Sequence, residues 1–475
     1  MATFTPGVYS TDVTNNFLSF YDALKPNIEE LLVQRYGKEL LGLSMMMDLF
    51  GATKGTDNLQ YSHYEMNRVM PKISATSPGG AAGAAVTFTL ATDSKTAYGS
   101  YVPYNTSSTV TTKALPVRVN DILQVKPASG TTVSSGNYIQ CIVLSVDKSA
   151  GTFSARPVDS TKSIPTIATA DEIAIMGNAN GEKSTDPESL TYGTEKYTNN
   201  LGIIRHLWEV SDIGNDVKTW YNDGPLRGRF SIRGEQVGFT QFMNMVDLRI
   251  LTSENINNLS VSEAFDTLGQ PIAATKGLIP ELTSRANNRT YAGAVGFTVS
   301  DMEDLVIELD AQKAGDDHLF FTGIALGGQI DREFRDLFKN GAISYGSFTG
   351  DSEKSVNLAF QNFSINGYTF HKRNLAALND TQTTGAAGYG YKYEGFTIPT
   401  RSAKIAGGEE MGAMVPTLRK RYLQSATGES REYRIEYFDG FKSAADGEAT
   451  HKVRYIAHCG FELFAANTCS YIKRA

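Results

Sequence analysis

The spacing of apolar and polar positions changes several times along the chain, and each change marks an element. Ile28, Leu31 and Leu32 fall at helical spacing. Asn27 and Glu30, just after Pro26, have the three-residue separation of a capping box. The pattern bends at Gly37, resumes through LLGLSMMMDLF and stops near Gly51, with Met45, Met46 and Met47 read as core packing. From 52 to 85 the chain is extended and then loose, and SPGGAAGAA (77–85) has the composition of a flexible linker. VRVNDILQV, YIQCIVLSV and TFSARPV then predict short strands separated by the turns ASGTTVSSG and DKSAG, a β-rich module over 86–185. In the second run Tyr138, Gln140, Ile142, Leu144 and Val146 share one face and Ile139, Cys141 and Val143 the other. Both faces are mostly apolar, which predicts a strand covered on both sides in a small barrel or sandwich. The polar stretch GNANGEKSTDPES (177–189) closes the module.

EKYTNNLGIIRHLWEVSDIGND (195–216) is strand-like for longer than an ordinary strand. Residues 197–212 would extend about 50 Å at ~3.3 Å per residue. Ile204, His206, Trp208 and Val210 share one face, Ile203, Arg205, Leu207 and Glu209 the other. The first face is expected to pack on the β-rich module or on another subunit. Period 3.6 follows: Phe239, Phe242, Met243, Val246 and Ile250 form one face of a helix over about 231–253, with Gln241, Asn244 and Asp247 off it. Such a helix is about 35 Å long, twice the usual length. Further on, Ser300 and Glu303 predict a capped helix bearing Met302, Leu305, Val306 and Leu309. GDDHLFFTGIALGG ends in a small-residue turn, and IDREFRDLFKNG is a short amphipathic helix stopped by Gly341. SINGYTFHKRN carries an Asn-Gly hairpin signal. EYRIEYF and HKVRYIAHCGFEL alternate as closing strands, Val453, Tyr455, Ala457 and Cys459 sharing a face.

Composition narrows the function classes. A chain of 475 residues suggests about three domains at roughly 150 residues each, with ample core. The net charge is −7, and one basic run, LRKRY at 418–422, is expected to be a solvated face, so a phosphate-gripping surface is not indicated. Cys141, Cys459 and Cys469 lack zinc or CxxC spacing, and Cys459 reads as a small buried side chain. The first residues lack signal-peptide character, and no apolar run approaches the ~18 residues of a membrane helix.

Candidate chemistry is sparse. Asp316, Asp317 and His318 could bind a metal or move a proton, but as neighbours after Gly315 they read as a polar loop. Asp301, Glu303 and Asp304 crowd a helix start, where the dipole alone favours them. His451 and His458 diverge on a strand, leaving no site with Cys459. His206 lies between Ile204 and Trp208 on an apolar face and reads as packing. Phosphate-loop, dinucleotide, GxSxG and HExxH signatures are missing. No catalytic, cofactor-binding or metal-binding residue is assigned, and no cofactor is expected.

The order of elements, with KYTNNLGIIRHLWEVSD, SIRGEQVGFTQFMNMVDLRILTSEN, YRIEYFDGF and HKVRYIAHCGFEL, resembles the major capsid proteins of tailed bacteriophages, the Hong Kong 97-type fold. By length and style it is most similar to those of crAss-like phages. The resemblance implies an α+β fold with an N-terminal arm (1–26), an N-terminal helix (27–51), an outgoing extended arm or E-loop (52–85), an inserted β-barrel-like module (86–185) and a returning arm strand (186–216). A long spine helix within the peripheral domain (217–258), a mainly axial domain (259–425) and closing peripheral strands (426–475) would follow. It implies a non-enzymatic virion protein, assembled in the bacterial cytoplasm into hexamers and pentamers of an icosahedral shell around double-stranded DNA. Contact with that DNA would be weak and contact with membranes absent. Scaffolding, portal and decoration proteins are the partners it suggests, the scaffold as a separate chain because residues 1–26 are short for one. The lysine–asparagine crosslink of some members has no match here. A tail component or adhesin, and a hydrolase using Asp317 and His318, are the alternative classes.

Overall fold

The computed structural model describes residues 42–44, 47, 52–66, 73–90, 117–125, 138–147, 150–189, 194–211, 230–254, 265, 268–269, 272–339, 362–379, 391–400, 403–404, 414–425, 430–439 and 450–475. The arm at 1–26 and most of the helix expected at 27–51 lie outside them. Leu43, Ser44 and Met47 are helical, and all three are buried. The chain divides into two compact units, one built from Met1–Glu39, Arg205–Phe242 and Ile435–Tyr455, the other from the remainder.

The larger unit begins with β1 (Thr53–Thr56) and β2 (Gln60–Met66). Next come β3 (Ile73–Ser77), β4 (Val86–Leu90), β5 (Asp121–Val125), β6 (Ile139–Asp147), β7 (Thr152–Pro157) and β8 (Ile167–Asn178). These six close into a barrel in the order β3-β4-β7-β6-β5-β8, which leaves no free sheet edge. Its interior is apolar, with Phe88 and Phe153 stacked at 5.0 Å. Ile139, Cys141 and Val143 point inward, but Tyr138 and Leu144 are exposed, so β6 is covered on one side and not two. A barrel has an outside, and the apolar outer residues were no sign of a second cover. The expected flexible linker at 77–85 is an ordered connection inside the barrel. Gly79 and Gly83 adopt positive φ there, and Gly80 and Gly83 donate to the carbonyls of Ile164 and Lys162.

The long strand expected over 197–212 is two strands, β9 (Thr194–Asn200) and β10 (Gly202–Ser211). Leu201 separates them: its side chain is fully buried and its N–H donates to the Leu59 carbonyl at 2.7 Å. β9 pairs antiparallel with β2 as an isolated two-stranded ladder, Met66 opposite Thr194 and Gln60 opposite Asn200.

After α1 (Phe230–Thr252) and α2 (Leu278–Arg285) comes an α/β layer: β11 (Asn287–Tyr291), α3 (Val299–Ala311), β12 (Asp317–Thr322), α4 (Ile324–Lys339), β13 (Asn362–Ile365), β14 (Tyr368–Asn374) and β15 (Gly395–Pro399). A small ladder of β16 (Ala403–Lys404) and β17 (Met414–Val415) precedes β18 (Leu418–Leu423), β19 (Arg434–Asp439), β20 (Thr450–Leu463) and β21 (Ser470–Arg474). The six-stranded sheet runs β11-β21-β15-β12-β14-β13. β11, β21, β12 and β14 are parallel to one another, and β15 runs against them. One core joins Met302, Leu305 and Leu309 of α3 and Leu326 and Ile330 of α4 to Phe320 and Phe370 of the sheet.

α3 is capped by Thr298 with Asp301, two residues before the Ser300/Glu303 pair that the sequence suggests. α4 begins at Ile324, so GIALGG is a helix start and not a turn. Leu326 and Ile330, four apart and fully buried, hold that first turn on the sheet. At the Asn-Gly turn both Asn366 and Gly367 have positive φ, as a two-residue hairpin needs. β18 pairs parallel with β1 and antiparallel with β20. The run LRKRY is not a solvated face: Lys420 is buried beside Glu432 (2.7 Å), and Arg421 is tied to Glu462.

In the smaller unit β20 neighbours β10 and β19, and the first half of α1 covers them. Among the described residues no helix is long and apolar enough to cross a membrane.

Candidate assembly site

The β2/β9 ladder has two different faces because side chains alternate. On one, Tyr61, His63 and Glu65 of β2 and Tyr197 and Asn199 of β9 meet the end of β20 and α2. Tyr61 donates its hydroxyl to the Phe461 carbonyl at 2.6 Å. The Asn199 amide donates to the carbonyls of Phe461 (2.8 Å) and Lys276 (3.1 Å) while its oxygen accepts the Lys276 N–H. His63 places Nε2 3.2 Å from Glu65 and Nδ1 3.2 Å from Glu462. Arg285 joins Glu65 (2.9 Å) and Glu281 (2.5 Å), with its guanidinium 3.4 Å from the centre of the Tyr197 ring. Arg421 grips Glu462 at 2.6 and 3.2 Å.

Only an imidazolium can donate from both ring nitrogens, and both nitrogens of His63 face carboxylates. Burial alone would push His63 down; the hydrogen bonds to Glu462 and Glu65 outweigh it and leave it raised. Glu65 and Glu462 are held below the usual carboxylate range despite burial, by His63 together with Arg285 and Arg421 respectively. Such a network adds little net stability over an apolar contact, yet breaking one member is costly. Its effect is to fix register: sliding β2 by two residues would leave buried charges unpaired.

The opposite face of the ladder is open. Tyr64 is 66% exposed and Met66 54%, and Lys196 and Thr198 beside them on β9 are exposed as well.

In the smaller unit the predicted alternation of β10 holds, but its Ile/Trp face meets the chain's own helix. Trp208 lies over Gly234 and Gly238 of α1, where a Cβ on Gly234 would stand 2.2 Å from the indole. The indole also meets His451 edge-on at 6.2 Å. His206 stacks on Tyr455 at 6.2 Å, and the Tyr455 hydroxyl donates to the Glu235 carbonyl. The sequence places Phe239 on the buried face of α1, but it is 39% exposed. The glycine notch occupied by Trp208 rotates that face. G-x-x-x-G spacing at 234–238 was the available signal for it.

Asp247, expected off the buried face, is buried in the larger unit. It accepts the backbone N–H groups of Leu43 (3.1 Å) and Ser44 (2.8 Å), capping that helical turn from 200 residues away in sequence. Burial pushes its carboxyl up against those hydrogen bonds.

The triad at 316–318 does not converge. His318 enters the core beside Tyr368 and Phe370, and burial pushes it down to about 4. Asp317 lies on the opposite face, bonded to His371 (2.6 Å) and Thr400. Asp301 and Asp304 pair with Arg289, a partner beyond the helix dipole. His451 faces Glu235 at 3.2 Å, and Cys459 is buried.

No family model and no curated protein matches the chain. Several solved structures are loosely similar. One from Mycobacterium phage Cain has 9% identity over 96% of this chain and 97% of its own, with a TM-score of 0.41. The capsid of a native GTA particle has 7% identity over 95% of each chain, with a TM-score of 0.39. The holo-SrpI encapsulin complex of Synechococcus elongatus PCC 7942 has 9% identity over 60% of this chain and 76% of its own, with a TM-score of 0.33.

Proposed function

We propose that this chain is a capsid subunit, whose copies assemble as hexamers and pentamers into an icosahedral shell around double-stranded DNA in a tailed-phage particle. The observation that carries the reading is the half-covered ladder. A two-stranded ladder is marginal by itself in water. Here one face is pinned by a buried ionic network, while the other presents Tyr64 and Met66 uncovered. A second copy covering that face would complete the ladder's packing, which is what an extended capsid arm does. α1, at 23 residues, suits the spine helix. The sheet of β11 to β15 suits the axial domain. β21 pairs within that sheet, so on this reading it belongs there and not with the peripheral strands expected over 426–475. The barrel suits a module inserted in the arm.

On this reading the net charge of −7 keeps the chain from adhering to packaged DNA, and scaffold, portal and decoration proteins are its expected partners. The virion is its location and the bacterial cytoplasm its place of assembly. The crAss-like placement rests on length and style alone. No catalytic role is assigned to Asp317 or His318, which face opposite sides of β12.

Electron microscopy of the full chain, produced with the other proteins of its particle, tests this. Closed shells are expected, and Tyr64→Asp with Met66→Asp should yield folded subunits that do not close. Tubes or fibres would favour a tail component, and subunits that stay monomeric would end the capsid reading.

A further inference from the structure

One cavity in the α/β layer is used by nothing described above. It has a volume of about 460 Å3 and lies between the turn at 293–297, the first half of α4, Tyr393 and Arg474. Its position follows from the sheet. The turn leaves the carboxyl end of β11, α4 leaves the carboxyl end of β12, and Arg474 closes β21. These three strands are parallel, so their carboxyl ends lie on one edge. That edge is where open α/β sheets receive ligands, because the connecting loops part there.

We infer that this cleft binds the phosphate group of a small molecule. Two guanidinium groups from different elements line it, and Glu333 is the one acidic lining residue, so the cleft is positive on a chain of net charge −7. Arg474 is preset: its Nη2 donates to the Gly293 carbonyl at 2.8 Å, and its guanidinium sits 4.7 Å from the centre of the Tyr393 ring. Arg332 is exposed and makes no ion pair or hydrogen bond among the described residues. The first N–H of α4 is already taken by the Asn379 side chain at 2.5 Å, so recognition falls to the guanidinium groups and not to the helix end. A planar fork of donors matches a phosphate better than a single point charge does. The cavity is also larger than a bare phosphate fills, with Tyr393 on one wall and Val295 on the rim. A phosphomonoester fits both the charge and the space.

The test is isothermal titration of the full chain with inorganic phosphate and with AMP, at constant ionic strength against chloride. Saturable phosphate binding is expected, with AMP binding tighter. Arg332→Ala should weaken both about tenfold or more, the usual effect of losing a charged hydrogen bond. Gly328→Leu should abolish binding by filling the cleft. A Cβ at 328 meets nothing within 4 Å, and leucine favours the helix, so circular dichroism should show the fold intact. AMP binding no tighter than phosphate would make the free ion the ligand. Phosphate and AMP heats no different from chloride, or unchanged binding in both variants, would overturn the inference.

Discussion

His63 and His318 are the same side chain in two buried regions, with their affinity for a proton pushed in opposite directions. His63, at the root of the ladder, has a carboxylate at each ring nitrogen and is raised. His318, in the sheet core, has Tyr368 and Phe370 against its ring and is lowered to about 4. Burial pushes both down, and only the partners differ. One region gains its specificity from charge and the other from packing, and each is vulnerable to a different change.

The largest effect should come from the packed region. Phe370→Ala removes a ring that touches His318, Phe320 and Phe363, and should cost about 3–5 kcal/mol in denaturant unfolding, equally at low and high salt. Next, Glu462→Gln strips a fully buried carboxylate from Arg421 and His63 and should cost about 3 kcal/mol. Little loss there would mean that water reaches the root and that the contrast is false.

Acid is the third lever, and of the two histidines it acts on His318. As pH falls from 6.5 towards 4, the unfolded chain takes up a proton that the folded core refuses. Stability should drop by up to ~3 kcal/mol across that window. Melting curves of His318→Leu should lack that part of the acid slope. The smallest effect is alkaline. With its folded pKa raised, the contribution of His63 is complete below its ordinary 6.5 and is lost as pH climbs through the folded value. Amide protection in β2, corrected for intrinsic exchange, should fall over that rise. His63→Gln should flatten the response, and an unchanged slope would remove His63 from the network.

Sequence periodicity reached the elements whose cause is local. The length of α1, the Asn366-Gly367 hairpin and the shared face of Val453, Tyr455, Ala457 and Cys459 follow from neighbouring residues. It failed where the cause lies far away. The Tyr61 hydroxyl meets a carbonyl 400 positions on, and no local pattern announces that. The same holds for Leu201, whose burial splits a strand that alternation alone would continue, and for Asp247, which caps a helical turn elsewhere. Lys420 and Arg421 read as a basic patch because their carboxylates stand at Glu432 and Glu462. The root of the ladder was therefore invisible in the sequence, while the alternation of β10 beyond Leu201 was plain.

The ladder's register has a practical consequence. Met66 and Thr194 are direct partners on adjacent strands, so the whole barrel enters and leaves through two backbone ends a strand spacing apart, about 5 Å. An Asn-Gly turn could replace everything between them. A foreign domain whose termini lie equally close could be seated there instead, which makes the barrel an exchangeable cartridge.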